Sequence, residues 1–273
     1  MPPRASRLDG AEPFSAPGGP HGALVLHGLT GTPGSVRGLA GALAGAGFAV
    51  EAPLLPGHGT SLDDMLGTGW EDWSAAAEDA YADLAARCGR VVVAGLSMGG
   101  TLACWLAAGR AAVAGVVCVN PMIEPVARSF LDILDGLLAE GVEVMPGIGA
   151  DVARPGGREP AYDGTPVAPT RSLMGAVADL EPRLGEVRAP LLLFTSREDH
   201  VVPPSSSDLL ARRAGGPVER VMLERSFHVA TLDWEADLIE RRTVEFALEV
   251  TAAGAGRAPA RRTSLGGNGR VPA

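Results

Sequence analysis

Six short β-rich runs punctuate the chain: ALVLHG (23–28), FAVEAP (48–53), VVVAGLS (91–97), GVVCVN (115–120), PLLLFTS (190–196) and VERVMLE (218–224). Most are apolar at consecutive rather than alternate positions, the signature of a strand covered on both faces. Helix-compatible, mostly alanine-rich stretches separate them, at 35–47, 70–88, 98–109, 170–184, 204–215 and 237–250. Strands that alternate with helices in this way form one mostly parallel sheet with helices on both faces, an α/β class. In such folds the chemistry collects at the C-terminal ends of the strands.

Three segments fall outside the alternation. Residues 1–20 are rich in Pro, Gly and Ala and are expected to form a flexible N-terminal arm, leaving residues 21–252 as the folded domain. Residues 253–273 contain no acidic side chain and no apolar period, so a disordered tail is expected, with RRTSL inside it resembling a basic-directed phosphorylation site. Residues 121–168 are too many for an ordinary connection between two strand–helix units and read as a small inserted cap. Within it Phe130, Leu131, Leu134, Leu137 and Leu138 share one helical face, expected to pack on the domain and in part to line an apolar pocket.

Composition removes several function classes. The formal net charge is −9 and no basic stripe with interleaved aromatics occurs, which argues against a nucleic-acid partner. No apolar run approaches the roughly 18 residues of a membrane span, and the first 20 residues lack the apolar core of a secretory signal. The cap helix carries Asp132, Asp135 and Glu140, which anionic lipid would repel, so stable membrane insertion is not expected. Cys88, Cys104 and Cys118 lack metal-ligand spacing and read as free thiols of a cytoplasmic protein. The oligomeric state is not encoded in any pattern found here.

The third run ends in Gly95-Leu96-Ser97-Met98-Gly99, and an alanine-rich helix follows. Strand, Gly-x-Ser-x-Gly and helix together make a nucleophile elbow, in which glycines let two backbones pass close to the serine. A serine hydroxyl needs a base, normally a histidine oriented by a carboxylate. Of five histidines, His228 lies just past the last strand, where the order Ser…Asp…His places a base. His27 and His58 sit in tight turns and read as loop-fixing residues, His21 lies in the entry segment, and His200 follows the candidate acid directly. That acid is Asp199, at the end of PLLLFTSRED, with Glu124 after the preceding strand as the runner-up. Two backbone N–H groups complete the set as an oxyanion hole: Met98 after the nucleophile, and Leu29 in the turn after the first run. Asn120, at its strand end, is a candidate for lining the site or for capping its turn.

Taken together, LVLHGLTGTPGSVRGLA, LLPGHGTSLDDM, WEDWSAAAEDAY, VAGLSMGGTLACWLA, LFTSREDHVVPP and RSFHVATLDWE resemble the bacterial monoacylglycerol lipases and related carboxylesterases of the α/β-hydrolase fold, over residues 22–249. The resemblance implies Ser97 as nucleophile, Asp199 as acid and His228 as base. It also implies a mobile cap over an apolar acyl tunnel, and Glu159, in GREPAYDGTP, as a substrate-binding contact to a glycerol headgroup. The EPAY string departs from the family there by a proline beside the glutamate. The partner implied is a small lipid ester. No metal and no organic cofactor are called for.

Overall fold

The computed structural model describes residues 7–147 and 149–252. Its strands are β1 (Phe14–Ala16), β2 (Gly22–Leu26), β3 (Ala49–Ala52), β4 (Val91–Leu96), β5 (Val113–Val119), β6 (Val144–Pro146), β7 (Gly164–Pro166), β8 (Leu191–Ser196) and β9 (Val218–Leu223). The helices are α1 (Arg37–Gly45), α2 (Leu62–Leu66), α3 (Trp70–Arg87), α4 (Met98–Gly109), α5 (Arg128–Ala139), α6 (Val167–Leu180), α7 (Pro204–Arg213) and α8 (Ala236–Ala252). Seven strands form one sheet in the order β1-β3-β2-β4-β5-β8-β9, parallel throughout except for β1 at the edge. All six runs read from the sequence are strands of this sheet.

The unbroken apolar character of those strands has a direct cause. In β2, Leu24 and Leu26 enter the core under α3, α4, α6 and α7, while Ala23 and Val25 enter the core under α1 and α8. The same period-2 division splits Val91 and Val93 from Val92 and Ala94 in β4. With helices on both sides, neither parity of side chains meets water.

Register decides what the strand ends bring together. Leu96 pairs with Val119, and Val119 with Phe194, so Ser97, Asn120 and the end of β8 lie side by side. Backbone bonds carry the alignment one residue further, Ser97 N–H to Val119 O at 2.9 Å and Asn120 N–H to Phe194 O at 3.1 Å.

The cap lies between β5 and α6, as the length of residues 121–168 implies, and holds α5 and the antiparallel hairpin of β6 and β7. The single apolar face expected of α5 is divided. Leu134 is fully buried and Leu131 and Leu137 pack on the main core, but Phe130 and Leu138 are partly exposed and Ile133 is 57% exposed.

The N-terminal arm also departs from expectation. Phe14–Ala16 adds an antiparallel edge strand to β3, with Ser15 Oγ donating to Glu51 at 3.0 Å and the Arg37 guanidinium over the Phe14 ring. Leu8 N–H donates to Gly59 O at 2.9 Å, so the segment is tied down well before residue 20. The expected C-terminal tail, RRTSL included, lies outside the described residues.

Candidate active site

At the elbow, the glycines are a steric requirement. A Cβ on Gly95 would sit 2.1 Å from the Gly99 carbonyl, and one on Gly99 would sit 2.1 Å from Leu26 O. Between them Ser97 adopts φ 54° and ψ −118°, a conformation costing on the order of 1–3 kcal/mol for a non-glycine residue. Strand pairing before it and helix α4 after it hold the residue there. The turn puts the hydroxyl at the C-terminal edge of the sheet, on the wall of a cavity.

His228 lies in the loop after β9. Its ring Nδ1 hydrogen-bonds Asp199 Oδ2 at 2.8 Å, with both side chains almost wholly buried. The other carboxylate oxygen of Asp199 accepts from Val201 N–H at 2.9 Å and Val202 N–H at 2.7 Å, which fixes the acid within its own loop. Ser97, His228, Leu29, Glu159, Tyr162 and Met122 all border one cavity of about 80 Å³. Among the described residues no hydrogen bond joins Ser97 Oγ to the His228 ring. A serine–base contact of this kind is often long before substrate arrives. The N–H groups of Leu29 and Met98 donate to no acceptor among the described residues, which leaves both available to a ligand oxygen.

Glu159 comes from the cap and accepts from Ser35 Oγ at 2.7 Å. Loss of hydration pushes its carboxyl above the usual range, and the Ser35 hydroxyl and the nearby His228 pull against that rise. Glu159 borders the same cavity as Ser97 and His228.

Three other expectations are redirected by the geometry. Asn120 is not on the cavity wall. Its Nδ2 donates to Ser196 Oγ at 2.9 Å and His228 O at 2.8 Å, and its Oδ1 accepts from Ser196 N–H at 2.7 Å. The amide is consumed in holding the His228 loop against β8, which corrects its reading as a substrate-binding residue; it does not cap its own turn either, since its partners are Ser196, Phe227 and His228. Glu124 accepts from Ser205 Oγ on α7, and among the described residues the carboxylate bonded to the His228 ring is Asp199. No residue of α5 lines the cavity, whose apolar walls come from Met122, Leu173 and Val201 among others.

His27 and His58 are loop-fixing residues, as their turns suggest. His27 Nε2 accepts from Leu55 N–H at 3.2 Å while Nδ1 faces Gly28 O at 2.9 Å, and His58 Nδ1 faces Pro56 O at 2.9 Å. Burial pushes His27 down to about 3 and His58 down to about 4; His58 adds to the depression of His27. Both rings are therefore neutral at neutral pH.

One residue of the site had no signal in the sequence. Asp151, in a Pro/Gly-rich part of the cap with no periodicity, borders the cavity and reaches the loops of both Asp199 and His228. Burial works to raise its pKa, but the N–H groups of His228 and His200 and the His200 ring outweigh it, and the carboxyl stays below the usual range.

A parallel sheet with helices on both faces, a serine on a strained strand–helix corner and a cap over the strand ends define a class. Residues 23–241 match the alpha/beta hydrolase family, and the chain belongs to it. Along 242 residues, 88% of this chain and 95% of the relative, it is 40% identical to the thermostable monoacylglycerol lipase of Bacillus sp. (strain H-257). It is 27% identical to a carboxylesterase of Bacillus subtilis (strain 168), over 86% of this chain and 95% of that one. Among solved structures it is similar to one from a study of LipS and LipT, two metagenome-derived lipolytic enzymes, with TM-score 0.85, 38% identity, and coverage of 89% of this chain and 100% of the other. The fold is shared with a monoacylglycerol lipase of Paleococcus ferrophilus, at TM-score 0.74 and 20% identity, over 88% of this chain and 98% of that one.

Proposed function

We propose that this chain hydrolyses carboxylic esters through an acyl-enzyme and that monoacylglycerols are its substrates. The observation that carries the chemistry is the convergence of Ser97, His228 and Leu29 on one cavity, with Asp199 bonded to the His228 ring and the unengaged Met98 N–H next in the chain after Ser97. His228 takes the proton of Ser97 as the hydroxyl attacks the ester carbonyl, and Asp199 holds the ring in the required tautomer and balances its charge. The N–H groups of Leu29 and Met98 hold the oxyanion, a contribution of about 3–4 kcal/mol per donor to the barrier in comparable sites. His228 then protonates the departing alcohol. A water activated by the same ring attacks the acyl-serine, and the fatty acid leaves.

Support for glycerol as the alcohol comes from Glu159, whose oxygen on the cavity wall is suited to accept from a hydroxyl, and from the 40% identity to a monoacylglycerol lipase. The cavity volume favours a second reading. About 80 Å³ is small beside the roughly 300–1,000 Å³ usual for ligand pockets, and it suits an esterase of short acyl chains unless the cap lifts. Comparing monoolein with p-nitrophenyl butyrate separates the two. Monoolein turnover at a kcat/KM equal to or above that for the butyrate is the expected result, whereas fast butyrate cleavage with negligible monoolein turnover selects the short-chain reading. Labelling of Ser97 by a fluorophosphonate tests the remaining possibility, a non-catalytic binding protein, which would not react.

Among the described residues no helix is long and apolar enough to cross a membrane. Three free thiols support the proposed cytoplasmic location, where cysteines stay reduced.

A further inference from the structure

The base and the acid of the candidate site sit on different loops, joined by their own hydrogen bond and, at the end of β8, by Ser196 Oγ donating to Phe227 O at 2.8 Å beside the Asn120 amide. A side chain of the cap spans them as well. Asp151 Oδ2 accepts from His228 N–H at 3.0 Å and from His200 N–H, the residue after the acid, at 3.1 Å. Its Oδ1 meets His200 Nδ1 at 2.8 Å, and its backbone carbonyl accepts from Val229 N–H at 3.0 Å. The carboxylate is 12% exposed, so water competes little for these contacts. A second cap bond set runs beside it: Asp233 accepts from Ala153 and Arg154 N–H at 2.7 and 3.0 Å and from Phe227 N–H at 2.9 Å. Asp233 grips only the base loop, whereas Asp151 grips both.

We infer that Asp151 is a positioning residue for the reaction, a cap carboxylate that sets the distance between the loop bearing Asp199 and the loop bearing His228. The inference rests on the proposed serine mechanism. A single oxygen that accepts from two loops fixes their separation to within the tolerance of two hydrogen bonds. A displacement of about 1 Å at such a site costs on the order of a hundredfold in rate. The cap segment around residue 151 is thereby part of the catalytic frame, and any opening that admits substrate has to leave it in place. His200 contributes chiefly through its backbone N–H. Its ring, held edge-on to Phe227 with centroids 4.6 Å apart, is secondary.

The test compares Asp151→Ala, Asp151→Asn and His200→Phe on p-nitrophenyl butyrate, with rates referred to the folded fraction from near-UV circular dichroism. Asparagine can rebuild the frame: its Oδ1 takes both backbone N–H groups, and its NH₂ donates to the neutral His200 ring. His200→Phe keeps the backbone donor and the packing on Phe227. We expect Asp151→Ala to lower kcat about 10- to 100-fold with KM within about threefold, and to slow fluorophosphonate labelling of Ser97 by the same factor. Asp151→Asn and His200→Phe should both stay within about threefold of wild type. If the alanine variant fails to fold, Asp151→Ser, too short to reach either N–H, takes its place with the same expected loss.

A kcat unchanged in Asp151→Ala, a loss confined to KM, or an asparagine variant as impaired as alanine overturns the inference; so does a His200→Phe loss equal to that of Asp151→Ala. Wild-type turnover that disappears in Ser97→Ala upholds the serine mechanism whichever way these variants fall. Absence of wild-type turnover and labelling removes that mechanism and the inference with it.

Discussion

At Ser97 and His228 the expected effects are large because the proposed mechanism has each side chain act on the reacting atoms. Ser97→Ala and His228→Ala should each lower kcat by at least about 10³-fold with unchanged far-UV circular dichroism, and the double variant should lose little more, since the groups act as a unit. A Ser97→Ala protein that kept a tenth of the wild-type rate would exclude the mechanism. Asp199→Asn should fall by up to about 10⁴-fold through loss of the correct His228 tautomer, while Glu124→Gln should stay within about threefold. Steady-state kinetics on one soluble ester decides between the two carboxylates. Single residues were unevenly legible. Ser97 announced itself through glycines at fixed offsets, and Asp199 and His228 through their places after later strands. Asn120 carried no sign that its amide would be used up by Ser196 and the His228 carbonyl, because both partners arrive from other parts of the chain.

Among the elements, the β4–α4 corner is the most demanding. Gly99→Ala brings a Cβ to 2.1 Å from Leu26 O, and a backbone carbonyl cannot rotate away as a side chain does. Such a clash should destabilise the protein by at least about 1–3 kcal/mol, read as a lower urea midpoint, with activity falling further than stability. Helix α5 is the opposite case. Ile133 and Phe130 are exposed and do not border the Ser97 cavity, so Phe130→Ser/Ile133→Ser should leave the soluble butyrate rate unaltered and reduce the rate on dispersed monoolein. Equal rates on both substrates would separate this face from substrate capture. The regular elements were readable because their periods extend over many residues. The three-residue strands β1, β6 and β7 were not, since three residues cannot show a period and each exists only through its partner strand.

For the whole molecule, His27 and His58 couple stability to pH. Folding lowers them from 6.5 to about 3 and about 4, so between those values and 6.5 the unfolded chain binds more protons than the native one. Stability from this pair is therefore fully present above pH 6.5 and is lost as pH falls toward 4 and 3, at up to about 1.4 kcal/mol per pH unit for each ring. Urea unfolding at pH 7.5 and pH 5 should show the fall, and His27→Gln, though less stable throughout, should show a shallower pH slope. An unchanged slope would mean that other groups carry the acid sensitivity.

The sequence by itself determined the layered α/β architecture, the elbow and the proposed order of nucleophile, acid and base. These rest on short-range constraints: strand and helix periods, glycines where backbones touch, and one loop after each strand. Only the tertiary structure decided that Asn120 braces the base loop instead of lining the cavity, and that Glu159 meets Ser35 across the cavity wall. Asp151 gripping the loops of His200 and His228 belongs to the same group. Those contacts join residues from 35 to 228 across separate segments, and no local pattern encodes them. They exist because the sheet's register brings the strand ends together and the cap closes over them.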